Sequence, residues 1–267
     1  QNKCDLVNKE DLVTNKKKID RFIEDYLENT IPVIPVIAQT GSNINYVGKY
    51  LANNLTKYNK DLNQNLQINV IRTFDINKPQ TPIEKIEGGV LGGTIIKGIL
   101  NIGDIVQISP GICNKDPKLG WTVTPLYTRV KSIKSEKNNL DFAIPGGLLG
   151  IGTTIDPSFC KLNNLVGQII THPGENLDIT DEIELNVNIF RRIEKDYRKF
   201  TVGEIVKLGI LAKSIQGVVL KTNKKKVVIR LGLPVCVDDS SISIMKKIKD
   251  SYKLFGIGKI TKSKNIE

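Results

Sequence analysis

The residues with the clearest chemical potential stand at the start of the chain. Asn2-Lys3-Cys4-Asp5 fits the NKxD pattern that selects guanine. A carboxylate at Asp5 can accept two hydrogen bonds from the N1–H and exocyclic amine of guanine, a donor pair that adenine lacks. The stem of Lys3 can lie over the base, and Asn2 can brace the loop. Paired, charge-assisted hydrogen bonds of this kind give energy and discrimination together. Four residues alone are a weak signal in a chain rich in Lys and Asn, and a surface salt bridge between Lys3 and Asp5 is the alternative; the segments downstream favour guanine contact. The sequence contains no GxxxxGK[ST] phosphate loop, and no DxxG or switch segment precedes Asn2. Phosphoryl transfer needs a phosphate cradle, Mg²⁺ and a positioned water. The 267 residues alone are therefore expected neither to hydrolyse GTP nor to bind it tightly.

Other reactive side chains are dispersed. Cys4, Cys113, Cys160 and Cys236 form no CxxC pair, and His172 is the only histidine. Neither a zinc site nor a histidine base is expected from this spacing. Scattered thiols without a signal peptide point to a reducing, cytoplasmic setting.

The elements that would hold the guanine-reading residues follow directly. Apolar residues from Leu12 to Leu27 recur at partly helical spacing, predicting a helix over Lys9–Leu27. Pro32 to Ala38 reads as a buried strand, 39–43 as a turn and Ile44–Leu55 as a second helix. Loop, helix, strand, loop and helix in that order match the last portion of a doubly wound domain. Its sheet neighbours would come from other sequence. Residues 1–60 are thus expected to pack imperfectly, with an unpaired strand and exposed apolar helix faces.

Beyond a polar linker at Lys57–Asn65 the pattern changes. From Asn69 to Gly111, short β-branched runs alternate with Gly, Pro and Asn clusters, as in antiparallel strands that curl into a small barrel. This barrel is expected over 66–168, with strands at Thr122–Lys134, Leu140–Ile144 and Leu148–Gly152, a turn at Asn138-Asn139, and Val166–Gln168 closing it. A second barrel is expected over 169–267. Its strands read as Glu182–Phe190, Ile205–Ala212, Gly217–Leu220, Lys226–Leu231, Ser241–Lys247 and Tyr252–Lys262.

Four collinear segments carry a resemblance. They are FDINKP (Phe74 to Pro79), GGVLGGTIIKGIL (Gly88 to Leu100), the GD.V.I.PGI series (Gly103 to Ile112) and PGGLLGIGTTIDPSFC (Pro145 to Cys160). Together they resemble the gamma subunit of eukaryotic and archaeal translation initiation factor two. This implies a mostly β chain with an α/β fragment: the C-terminal piece of a GTP-binding domain at 1–60, then two antiparallel β-barrels. It also implies a cytoplasmic, GTP-hydrolysing factor that brings initiator methionyl-tRNA to the small ribosomal subunit, in a heterotrimer with alpha and beta subunits. GTP and GDP are the implied nucleotides, with Mg²⁺ held only by the part of the GTPase domain absent here.

Site residues follow from the same resemblance. Asn2, Lys3 and Asp5 would read guanine. Ile37-Ala38-Gln39 occupies the place of a second guanine motif, usually Ser-Ala-x, in which a backbone N–H near Ala38 faces the guanine oxygen. The first barrel would hold part of the pocket for the aminoacylated 3′ end, with Arg72, Gly88, Gly89, Gly92, Gly93 and Lys97 as candidates. Simple barrel closure accounts equally well for the glycines, and a solvated position for Arg72. The pair Arg191-Arg192 matches a family feature and is a further RNA candidate. Lys224 to Lys226 reads better as a solvated hairpin. Trp121 suits a partner contact, and the alpha subunit docks on this barrel in the family.

Composition agrees without deciding. A net charge of +11 suits an acidic partner such as RNA, but a Lys- and Asn-rich composition alone would give it too. A start at Gln1 rather than Met suggests a partial chain. The competing readings are a non-catalytic RNA- or subunit-binding scaffold of two barrels, and an elongation factor of the Tu or selenocysteine-specific type. FDINKP and the paired glycines speak against the latter.

Overall fold

The computed structural model describes every residue except 27–30, 56–59, 61, 191–192, 194–196, 198, 224–225, 239–240 and 267. The chain divides into two compact units, Gln1–Asn59 and Lys60–Glu267.

In the first unit, α1 spans Lys9–Tyr26 and α2 spans Ile44–Asn54. Asn8 accepts at Oδ1 from Asp11 N at 2.9 Å, and Glu10 and Asp11 place negative charge in the first turn of α1. Both features stabilise a helix N-terminus. No described residue of either helix is buried. Val13 and Phe22 on α1, and Tyr46, Tyr50 and Leu51 on α2, lie exposed.

The expected buried strand at Pro32–Ala38 needs correction. The segment is extended but only half-buried, and it joins no ladder beyond one bridge between Ile37 and Ser42. Gln1 donates from its N-terminus to Ile34 O at 3.0 Å, and Val36 N donates to Gln1 O at 2.8 Å. That is the two-bond pattern of a parallel pair, made on one edge only. A parallel strand is buried by neighbours on both edges and helices on both faces. Here Pro32 and Pro35 also lack the N–H that a ladder requires.

The second unit contains two barrels. The first is built from β1 (Gln67–Phe74), β2 (Val90–Lys97), β3 (Leu100–Asn101), β4 (Ile105–Asp116), β5 (Gly120–Ser135), β6 (Asn138–Leu140), β7 (Phe142–Ala143), β8 (Leu149–Thr153) and β9 (Ile169–Thr171). Its order is β4-β9-β1-β2-β8-β5, closed by pairing of β4 with β5; β6 extends the sheet beyond β5, and β3 pairs with β7 apart. Ile68, Val70, Leu91, Val106, Ile108 and Ile151 fill the interior.

Two expectations shift here. Residues 138–139 belong to β6, and the turn falls on Glu136-Lys137, where Glu136 takes φ 54°. The last strand of the first barrel is β9, which pairs with β1 and β4, so the expected boundary at 168/169 lies one strand early. Its three residues are all buried, a pattern with no alternation to assign it to either barrel.

The second barrel comprises β10 (Ile179–Ile189), β11 (Ile205–Ile210), β12 (Lys213–Asn223), β13 (Lys226–Cys236), β14 (Ile242–Ile248) and β15 (Ser251–Asn265), closed in the order β10-β13-β12-β11-β14-β15. Alternate residues point inward, as the period-two geometry of a strand requires. Val206, Leu208, Val227, Ile229, Ile244 and Phe255 form its core.

Candidate functional site

The guanine-motif residues are drawn together by one side chain. Asn2 Oδ1 accepts from Lys3 N at 2.8 Å and from Ala38 N at 3.1 Å, tying the first loop to the turn after the extended segment. Lys3 takes a left-handed backbone, φ 61°, which turns the chain into the short 3₁₀ turn Cys4–Leu6. Asp5 in that turn is exposed, as are Lys3, Ala38 and Gln39. The Ala38 N–H, expected to face the guanine oxygen, donates to Asn2 Oδ1 in this structure. A carboxamide on a neighbouring loop satisfies that donor, a partnership that sequence spacing does not reveal.

The first barrel carries a second candidate site. A groove of about 500 Å³ runs over β1, β2 and β8, bordered by Arg72, Phe74, Lys134 and Leu148. Register places Arg72 opposite Gly92, and Gly92 opposite Gly150. Two glycines side by side give the groove a floor without side chains. Packing does not require them. A Cβ on Gly92 would meet nothing closer than 3.4 Å, and one on Gly150 only Lys134 O at 4.0 Å.

The other candidate glycines have a structural explanation. A Cβ on Gly88 would stand 2.1 Å from Thr153 O, on Gly89 2.2 Å from Cys160 Sγ, and on Gly93 2.5 Å from Asn69 O. These positions permit close approach of backbone within the barrel. FDINKP holds that approach in place. Asn77 Nδ2 donates to Glu87 O and Asn77 Oδ1 accepts from Glu87 N, both at 2.8 Å. Asn77 also donates to Asp75 from Nδ2, at 2.9 Å, and from its backbone, at 3.0 Å. These bonds hold the Asp75 carboxyl below its ordinary range.

Lys97 lies at the far end of β2, opposite Gln67, and does not border the groove. It stands five steps along the strand from Gly92, about 16 Å. Arg191, Arg192, Lys224 and Lys225 lie outside the described residues. Lys226 opens β13 and pairs with Glu184 at 2.9 Å. The residues missed from sequence are Phe74, Lys134, Leu148 and Gly150. Their only signal was the glycine alternation from Gly147 to Gly152, and it did not say which glycines face outward.

Two of the thiols are buried in the barrels. Burial pushes the Cys160 thiol up to about 11 and Cys236 to about 12, so neither supplies a thiolate near neutral pH. His172 Nε2 meets Asp104 Oδ2 at 3.5 Å in a loop after β9. Among the described residues no cluster of His, Cys, Asp or Glu could hold a metal ion, and no helix is long and apolar enough to cross a membrane.

In chain order, a short helical unit is followed by two closed antiparallel barrels. Translation elongation factor SelB of Methanococcus maripaludis superposes with a TM-score of 0.75 at 18% identity, over 99% of this chain and 59% of that one. Such identity speaks for the fold alone. Sequence is more specific. Residues 181–260 match the family model "Initiation factor eIF2 gamma, C terminal". Eukaryotic translation initiation factor 2 subunit 3 of Drosophila melanogaster is 32% identical over the whole chain and 58% of its own length. Translation initiation factor 2 subunit gamma of Archaeoglobus fulgidus is 34% identical over 97% of the chain and 61% of its own length. The chain is a homologue of the initiation factor 2 gamma subunit over the part it shares with these relatives. It spans about three fifths of the length of these relatives.

Proposed function

We propose that this chain supplies the tRNA platform and the guanine-reading rim of a gamma-subunit-type factor. That factor binds initiator methionyl-tRNA in a GTP-dependent manner and delivers it to the small ribosomal subunit, in company with alpha and beta subunits. The observation that carries the reading is the Gly92–Gly150 floor, bordered by Phe74, Arg72 and Lys134. Single-stranded RNA ends are bound by stacking and by contacts to phosphates and sugar hydroxyls. A bare backbone floor admits a planar base, Phe74 offers a stacking face, and the two cations suit phosphates.

At the other site, the exposed Asp5 carboxylate suits the guanine donor pair and Lys3 the base face. Gln39, in the turn that Asn2 ties down, adds a neighbouring edge. The sequence holds no phosphate cradle of the GxxxxGK[ST] type for the rest of a GTP molecule. The residues present fit the base, and they do not fit the metal.

The test is fluorescence anisotropy of the 267-residue chain with a labelled acceptor-stem RNA ending in CCA. Gly92→Val fills the floor and is expected to weaken binding at least about tenfold, a cost of about 1.4 kcal/mol. Arg72→Ala is expected to weaken binding and flatten its salt dependence. Unchanged affinity in both variants, with unchanged melting curves, would overturn the assignment of this groove.

A further inference from the structure

We propose that the outer face of the second barrel, across β12, β11, β14 and β15, docks an acidic, partly apolar segment of a partner protein. Register assembles this face from residues distant in sequence. Val218 stands beside Ile205, Lys207 beside Met245, Lys247 beside Tyr252, and Ser243 beside Ile257. The apolar members are open to solvent: Ile205 is 51% exposed, Ile257 41%, Val218 40% and Tyr252 37%. Lys207 Nζ lies 4.2 Å from the centre of the Tyr252 ring, so the aromatic and the cation form one surface.

The charge on this barrel is divided by strand. Asp181, Glu182 and Glu184 all sit on β10, where Glu182 pairs with Arg230 at 3.0 Å and Glu184 with Lys226 at 2.9 Å. The strands β11, β12, β14 and β15 carry lysines and neither aspartate nor glutamate. Glu204, just before β11, is engaged with the buried Lys246 at 3.0 Å, and Asp250 sits at the rim in the β14–β15 turn. Lys207 and Lys247 thus present positive charge with no carboxylate partner among the described residues. An acidic partner gains from that imbalance.

The apolar residues decide the class of partner. RNA would be drawn by the lysines, but among the described residues the only aromatic ring on this face is already covered by Lys207, and exposed Ile and Val give a phosphate backbone nothing to bind. A peptide that alternates carboxylates with aliphatic side chains satisfies both features, since covering the exposed Ile side chains removes apolar surface from water.

The experiment titrates the full chain with a short labelled peptide in which Glu and Asp alternate with Leu and Phe, alongside an all-Glu peptide and a uridine oligonucleotide of equal length. The mixed peptide should bind most tightly. Ile205→Ser and Ile257→Ser should each weaken it at least about tenfold. Lys207→Gln and Lys247→Gln should weaken it several-fold and reduce its salt dependence. All four side chains lie on the outer face, and circular dichroism melts verify folding. The proposal falls if the mixed peptide does not bind, if the all-Glu peptide or the RNA binds equally well, or if Ile205→Ser and Lys207→Gln leave affinity unchanged.

Discussion

Residues 1–59 and the barrels of 60–267 use similar apolar residues to opposite effect. Tyr46, Tyr50 and Leu51 of α2 face solvent, whereas every inward side chain of β11 is sealed inside the second barrel. An antiparallel barrel closes on itself: each strand finds both neighbours within about a hundred residues, and its core needs no other chain segment. A piece of parallel α/β structure gains burial only from strands and helices on every side. Stability and exposure in this molecule follow that difference.

Core truncations probe it most strongly. Ile229→Ala, at a fully buried site, is expected to cost about 2–5 kcal/mol and lower the melting temperature of the second unit sharply. Leu51→Ala, on the open face of α2, should stay within about 0.5 kcal/mol in the same denaturation experiment. Comparable losses would erase the distinction between the units.

A smaller effect separates the glycines of the first barrel. Gly93→Ala must displace Asn69 O and is expected to cost about 1–3 kcal/mol. Gly92→Ala, one residue earlier, has room and should leave urea midpoints nearly unchanged. Equal destabilisation would show that Gly92 serves closure, and the groove would lose its main argument.

The weakest expected effect is on pH. Hydrogen bonds from Asn77 hold the Asp75 carboxyl below 3.8, and those from Ser158 do the same for Asp156. A carboxyl depressed in the folded state stabilises it above the unfolded pKa, and that contribution is lost as pH falls. The first barrel should therefore melt at lower temperature once the pH drops below about 3.8. Asp75→Asn should flatten that part of the profile. A pH-independent melt in the parent chain would contradict the role given to the FDINKP loop.

Much of this was readable beforehand. The helices expected at 9–27 and 44–55 appear at Lys9–Tyr26 and Ile44–Asn54, and each strand expected in the second barrel overlaps an observed one. Periodicity and turn residues encode these locally. The expectation of a buried strand at 32–38 came from composition, and burial is a property of neighbours. Arg72 and Gly92 were visible as candidates, but Lys134 and Gly150 were not, because a groove depends on register.

By itself the sequence determined the helices, most of the strands and the resemblance to the gamma subunit, since these rest on residue types in linear order. Tertiary structure decided that Ala38 N–H is taken by Asn2, that Ile169–Thr171 completes the first barrel, and which glycine forms a floor while its neighbour seals a core. It also decided that Lys207 and Lys247 have no carboxylate partner among the described residues, while Glu182 and Glu184 on β10 are paired. The physical reason is common to all four: hydrogen bonding, closure, packing and charge balance are set by strand register and loop juxtaposition, which bring together residues that the linear order keeps apart.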